Sequence, residues 1–342
     1  MRSALIVGLS GERLSEAEKR FLASSQPCGI ILFARNCASS DQIRALLGEA
    51  RDAIGADEVL VLIDQEGGRV RRLRPPQWRE LPAAAAFALM RDSEPDRALA
   101  LARLGAEVTA ADLRAMGINT NCAPVLDLRI PGAHDIIGDR AYGTTPAEVA
   151  EMGRAVAEGY LAGGVVPVIK HIPGHGRALA DSHFELPVVD ASREELERND
   201  FAPFRALADM PAAMTAHVVY TAVDPDNPAS TSATATAEII RGHIGFDGLL
   251  MSDDLGMKAL AGAMRDRAEA VIRAGSDVAL HCSGDLSEME QAAAGVPALE
   301  GDALRRFEAA ISHTHRRGAL DIAAAEAALE EVARNAASTR FA

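Results

Sequence analysis

The sequence predicts an α/β fold of one kind, a single (β/α)8 barrel of the TIM type. Three observations predict it: eight apolar runs spaced along the chain, helical patterns between many of them, and polar titratable residues placed directly after several of the runs. At 342 residues the chain is long for an ordinary domain but ordinary for a β/α barrel. Apolar residues make up 48% of it and aromatic residues only 4%, with alanine supplying much of the apolar share, which suits a helical shell around aliphatic strands. No Ser/Gly linker or charge block marks a boundary, so one domain is expected over residues 1–342, with a C-terminal helical extension at 321–337. A doubly wound open sheet is the alternative, but neither a GxGxxG nor a Walker loop supports nucleotide binding on it.

Taken in order, the expected strands are Ala4–Gly8, Gly29–Phe33, Val59–Ile63, Ile118–Val125, Val165–Ile169, Ala212–Ala216, Gly248–Met251 and Asp277–Leu280. Several are continuous β-branched or Leu-rich runs, as parallel strands covered on both faces require. Leu101, Leu104, Val108, Ala111 and Ala115 follow helical spacing and predict one apolar stripe. Thr145-Pro146-Ala147-Glu148 reads as a capping box with proline at the first helical position. Val149, Met152, Val156 and Tyr160 continue that helix until Gly163-Gly164 stops it. Ser192 to Glu195 is a second capping box, opening the helix after the fifth strand.

A net charge of −14 argues against a nucleic-acid partner, because phosphate binding needs a basic face. The start, MRSALIVGLSG, lacks a signal-peptide h-region and cleavage site, and no apolar stretch approaches the ~20 residues that span a bilayer. A cytoplasmic protein with no membrane partner is expected. Cys28, Cys37, Cys122 and Cys282 show no CxxC spacing, so buried or idle thiols are expected rather than a zinc knuckle or a disulfide framework.

In a β/α barrel the site forms where strands run out at their C-terminal ends. After the third run comes DQEGGRVRR, from Asp64 to Arg72; after the fourth come Asp127 and Gly138-Asp139-Arg140. The sixth ends in His217, the seventh in Ser252-Asp253-Asp254 and the eighth in His281. Each alone reads as a helix-dipole partner, a cap or a satisfied core group; their recurrence on successive strands points to a site. The richest stretch is Val165–His183, an apolar strand followed by a Pro-Gly loop carrying Lys170, His171, His175, Asp181 and His183. Lys170 could form a Schiff base or donate hydrogen bonds to an oxygen-rich ligand. The spacing His171-x3-His175 invites a metal reading, but Pro173-Gly174 breaks the helix that would align the rings, and no metal site is expected. Asp181 and His183 lie two apart on a loop, where a carboxylate beside an imidazole fixes its tautomer and raises its pKa, making His183 a usable general acid. The plain alternative is an Asx-turn with an exposed histidine.

The segments GIILFARN, DQEGGRVRRL, IIGDRAYG, KHIPGHG, DSH, HVVY and MSDDLGM, in this order, resemble glycoside hydrolase family 3, and within it the bacterial β-N-acetylhexosaminidases that recycle peptidoglycan. The resemblance implies a catalytic barrel without the second α/β domain of larger members. It implies a hydrolase acting with net retention on a small carbohydrate or muropeptide; no cofactor is expected, the oligomeric state is open, and a monomer is favoured. Asp253 falls on the family's nucleophile, His183 on its acid/base and Asp181 on the aspartate paired with that histidine. Asp64, Arg72, Arg140, Lys170 and His171 fall on sugar-binding positions. Ile172 stands where phenylalanine is commoner, and Gly256 where serine is; neither removes a group the mechanism needs. Adjacent strand residues point to opposite faces, which argues against both Asp253 and Asp254 lining one site. Four rivals remain at this level: a metal-dependent hydrolase using His171, His175, Asp181 or His183, a Schiff-base lyase using Lys170, a non-catalytic sugar-binding protein, and phosphorolysis of the same glycosides.

Overall fold

Each of the eight apolar runs becomes a barrel strand in the computed structural model, which describes residues 2–132, 134–182, 184–315 and 320–339. The strands are β1 (Ser3–Gly8), β2 (Pro27–Leu32), β3 (Leu60–Ile63), β4 (Thr120–Asn121), β5 (Val166–Ile172), β6 (Ala212–Thr215), β7 (Leu249–Asp254) and β8 (Val278–His281). They pair in parallel and in chain order, and β8 returns to β1, so the sheet closes and has no edge. The fold class is therefore the one the sequence predicts.

Alternation along each strand divides the core in two. Ile6, Leu62, Val168, Met214, Met251 and Leu280 share one apolar cluster inside the barrel. Leu5, Val7, Val61 and Ile63 belong to a second cluster, between the strands and the helical shell. Burying each such aliphatic side chain stabilises the fold by about 1.5–3 kcal/mol. Cys28, Cys122 and Cys282 are also in the inner cluster, and all four cysteines are free. Burial pushes the Cys28 thiol up to about 12.

The shell comprises α1 (Glu16–Ser25), α2 (Ser40–Ile54), α3 (Ala84–Arg91), α4 (Pro95–Ala115), α5 (Pro146–Ala162), α6 (Arg193–Arg198), α7 (Ala202–Ala206), a π-helical segment (Ala235–His243), α8 (Met264–Arg273), α9 (Leu286–Ala294), α10 (Gly301–Ser312) and α11 (Ile322–Thr339). The buried face of α4 is broader than the expected stripe. Ala102, Gly105, Ala106, Thr109 and Leu113 are buried with Leu101 and Val108, whereas Ala115 is exposed. The reason is that α4 packs against α3, α5 and α11 and not only on the sheet. Both halves of the capping box form at Thr145 and Glu148. At α6 only the Ser192 half forms, because the Glu195 carboxylate turns to Arg177 at 2.8 Å.

Three departures shape the open end of the barrel. The ladder strand β4 spans only Thr120–Asn121, although hydrogen bonding to β5 continues as far as Leu126 N–H on Lys170 O at 2.7 Å; Pro124 lacks the N–H that a regular ladder needs. Strand β5 is longer than expected and holds Lys170 and His171 within it, not on the following loop. After β3 the chain makes a short antiparallel hairpin, Gln65–Gly67 with Val70–Arg71. Gly67 and Gly68 turn it at φ of 97° and 55°, and a Cβ on Gly67 would sit 2.4 Å from Pro82 O, so glycine is required there twice over.

Candidate active site

The C-terminal ends of the strands surround a cavity of about 350 Å³. Asp64, Arg72, Arg140, Lys170, His171 and Asp253 all line it, so the barrel brings together six residues that the sequence singles out. Apolar walls come from Phe33, Met214, Met257 and Leu280. His183 lies outside the described residues. Among the described residues of its loop, Asp181 is half-buried and Ser182 is buried and borders the cavity.

At its centre is Lys170, 2% exposed. Its Nζ stands 2.8 Å from Asp64 Oδ1 and 2.7 Å from Glu66 Oε1. Arg72 donates to Asp64 Oδ2 at 2.8 Å, and Arg140 makes a two-pronged pair with Glu66 at 2.8 Å on each oxygen. The result is an alternating row, Arg72–Asp64–Lys170–Glu66–Arg140. Burial by itself raises the Asp64 carboxyl, but Lys170 and Arg72 outweigh it and hold the group well below the carboxylate range. Glu66 is likewise raised by burial and pulled down by Arg140 and Lys170, to about 2. Burial works to neutralise Lys170, but the two carboxylates overcome it and keep the ammonium charged well beyond neutral pH. A charged lysine is a hydrogen-bond donor, not an amine nucleophile, which disfavours the Schiff-base reading.

Neighbouring backbone fixes this row. Asn121 Oδ1 accepts from Gln65 N–H at 2.9 Å, and its Nδ2 donates to Gln65 O at 2.8 Å, clamping the residue between the two acids. Gln65 Oε1 in turn accepts from the N–H groups of Arg72 and Leu73, both at 3.0 Å. The Phe33 ring meets two guanidinium groups, with Arg35 and Arg72 each 4.9 Å from its centroid.

Both Asp253 and Asp254 border the cavity, contrary to the expectation from strand alternation. Pairing between β7 and β8 slips between Met251 and Asp254, and the chain turns immediately afterwards, so strict alternation does not reach the last two residues. Their environments differ. Asp254 Oδ1 accepts the N–H groups of Cys282 and Gly256, each at 3.0 Å, while its own N–H donates to Asp253 Oδ1 at 2.8 Å.

The histidines at the ends of β6 and β8 serve the frame. His217 Nδ1 is 2.7 Å from Ser230 Oγ and its Nε2 is 3.0 Å from Asp254 O. His281 Nε2 is 2.9 Å from Ser283 Oγ. Burial lowers both pKa values and favours neutral rings. His175 is buried, and burial with the nearby His171 lowers it to about 4. Among the described residues, no three His, Cys, Asp or Glu side chains gather in a metal-holding group, and no helix is long and apolar enough to cross a membrane. Sequence reasoning missed Glu66 and the paired role of Asp127. Glu66 had a legible signal, since it is a second acid two residues from Asp64 at the end of a strand run.

A closed parallel barrel with charged groups gathered at its strand ends is the architecture of a barrel enzyme. The family model for the glycosyl hydrolase family 3 N-terminal domain matches residues 4–316, and the chain belongs to glycoside hydrolase family 3. A β-hexosaminidase of Alkalilimnicola ehrlichii is 42% identical over 283 residues, covering 82% of this chain and 80% of the relative. A β-hexosaminidase of Chromobacterium violaceum is 37% identical, covering 97% of this chain and 95% of that one. Among solved structures, NagZ from Neisseria gonorrhoeae in complex with N-trifluoroacetyl-D-glucosamine superimposes with a TM-score of 0.86 at 33% identity, covering 97% of this chain and 98% of that one. The protein is thus a glycoside hydrolase.

Proposed function

We propose that this chain is a retaining exo-β-N-acetylglucosaminidase that removes terminal N-acetylglucosamine from peptidoglycan fragments. The observation that carries the reading is the row of five alternating charges, four of which line the same cavity as Asp253. Such a row presents fixed donors and acceptors to one polyhydroxylated ring, and the cavity volume falls within the range of small-ligand sites. The names of the relatives, and the N-acylated glucosamine in complex with one solved neighbour, support the 2-acetamido sugar.

In this reading Asp64, Arg72, Arg140, Lys170 and His171 hold the sugar while Asp253 attacks the anomeric carbon. The bond to the leaving oxygen breaks as His183 protonates it, leaving a glycosyl ester on Asp253. Water, deprotonated by the same imidazole, then releases the sugar with net retention and regenerates both groups. Asp181 orients His183. Retaining glycosidases usually place two carboxyl groups about 5 Å apart, so a histidine acid is a departure from that plan. The whole chain acts as one catalytic domain with a helical extension, as a cytoplasmic monomer.

Hydrolysis of nitrophenyl β-glycosides with and without a 2-acetamido group, in phosphate and in phosphate-free buffer, tests the proposal. The acetamido substrate should be cleaved far faster, with free sugar as product in both buffers. Comparable rates on the two substrates would overturn the substrate class, and a glycosyl phosphate product would overturn hydrolysis.

A further inference from the structure

Six residues beyond β4 a fully buried carboxylate stands behind the cavity wall without touching the cavity. Asp127 Oδ2 lies 2.7 Å from His171 Nδ1. Its Oδ1 accepts the N–H of His175 at 2.6 Å, and the N–H of His171 reaches both oxygens, at 3.2 and 3.3 Å. One side chain therefore satisfies two backbone donors where β5 leaves the sheet, and also ties down a ring that lines the cavity. Burial raises the Asp127 carboxyl, but His171 and the other donors around it overcome that and keep it ionised. An ionised carboxylate only accepts hydrogen bonds, so the proton between the two side chains sits on His171 Nδ1. The atom left to the cavity is Nε2. Other charged or titratable groups around this ring are His175 on the loop after β5, its ring centroid 5.7 Å away, His217 just after β6, Arg140 beside Asp127, and Asp253 across the cavity.

We infer that Asp127 is a positioning residue for the glycosidase reaction: through the Nδ1 bond it sets the tautomer and orientation of His171, so that Nε2 is the atom presented to the substrate. The same logic holds wherever a buried aspartate fixes the tautomer of an active-site imidazole. The inference rests on reading this cavity as the sugar site. A measurement on the histidine ring that needs no substrate separates the two.

That measurement, the first arm of the test, is nitrogen-15 NMR of the histidines in the unmodified protein. The expected result is a proton on His171 Nδ1 at neutral pH, whatever the enzyme cleaves; a neutral His171 protonated on Nε2 alone would overturn the inference. The second arm is Asp127→Asn. Its amide oxygen can keep the contact to the His175 N–H, while its NH2 group, placed toward His171 Nδ1, forces the ring into the opposite tautomer. The kcat/KM on a β-N-acetylglucosaminide should fall roughly 10- to 100-fold, the factor attached to a hydrogen bond at a charged group. In a His171→Ala background the same substitution should cost less than about threefold, because there is no ring left to orient. An equal loss in both backgrounds would mean that Asp127 only holds the chain together. If Asp127→Asn does not fold, the NMR arm still decides.

Discussion

Two networks of charged residues hold the opposite ends of this barrel, each built on three cations, with two carboxylates at the open end and three at the closed end, where Asp302 also pairs with Arg305. At the closed end, Asp277 before β8 accepts from Arg241 at 2.8 Å and from Arg306 at 2.9 Å, and Arg305 and Arg306 both pair with Asp247. At the open end the members are Asp64, Glu66, Arg72, Arg140 and Lys170. The cations do not separate them; geometry does. The lower network turns inward on the backbone: Asp277 also takes the N–H of Leu250 at 2.8 Å, and Arg241 donates to the carbonyls of Phe246 and Gly248 at 2.8 and 2.9 Å. The upper network is anchored from behind by Gln65 and Asn121, and its front faces the cavity. What sets the upper network apart is the cavity it borders, whereas the lower one meets open solvent at Arg305 and Asp247.

The largest effects should come from the reacting groups of the proposed mechanism, at the open end. Asp253→Ala should abolish turnover whatever the leaving group, a loss on the order of 10⁴-fold or more. His183→Ala should be selective. A nitrophenolate leaves with little help while a sugar alkoxide needs the proton, so glycosylation should suffer far more on a natural disaccharide than on an aryl glycoside. Asp181→Ala should give a milder form of that pattern. Pre-steady-state kinetics on both substrates checks this, and equal losses for His183→Ala would assign the proton to another group.

A middle-sized pair of effects separates the networks directly. Removing one member of a buried ion pair commonly costs about 3–5 kcal/mol, because the partner is left uncompensated. Asp277→Asn should therefore lower stability by a few kcal/mol, on the order of that range, while leaving KM unchanged. Lys170→Met should raise KM at least about 100-fold, since it removes a charged donor at the cavity as well as a structural partner. Chemical denaturation and steady-state kinetics on both variants make the test. A KM defect in Asp277→Asn as large as that of Lys170→Met would erase the distinction.

The smallest effect is a pH slope. His175 is held near 4 in the folded protein by burial and by the neighbouring His171, against about 6.5 unfolded. Between those values the unfolded chain binds the extra proton, so its contribution to stability is whole above about pH 6.5 and lost as the pH falls toward 4, at up to about 1.4 kcal/mol per pH unit. His175→Asn should flatten the stability–pH profile in that window. Glu66, depressed to about 2, acts lower, between about pH 4.5 and 2, and Asp64, held further down by Lys170 and Arg72, acts at still lower pH. An unchanged slope in His175→Asn would mean that the ring is protonated in the folded state.

Much of this was legible in the chain. Strands buried on both faces leave uninterrupted apolar runs, so the eight staves were readable without a partner sequence. Asp64, Arg72, Arg140, Lys170, His171 and Asp253 were marked by their place at run ends and by the family resemblance, and the barrel gathers all six. What escaped depends on register and long-range contact. Strand alternation separates Asp253 from Asp254 only while the ladder is regular, and it slips at that point. Asp127 and His171 are 44 residues apart in sequence, and no local pattern announces their 2.7 Å contact. Half of the Ser192 box was lost because Arg177, on the far side of an intervening loop, competes for Glu195. His183 was marked by its motif and lies outside the described residues, so its role rests on the proposal.

Because Asp253 and Asp254 both border the cavity, the most direct test of the account is to find which one carries the sugar. A fluorinated β-N-acetylglucosaminide with a good leaving group, reacted with the enzyme and followed by peptide mapping, would trap the glycosyl ester. One N-acetylglucosaminyl adduct is expected, on Asp253. An adduct on Asp254, or inactivation with no adduct on either aspartate, would contradict it.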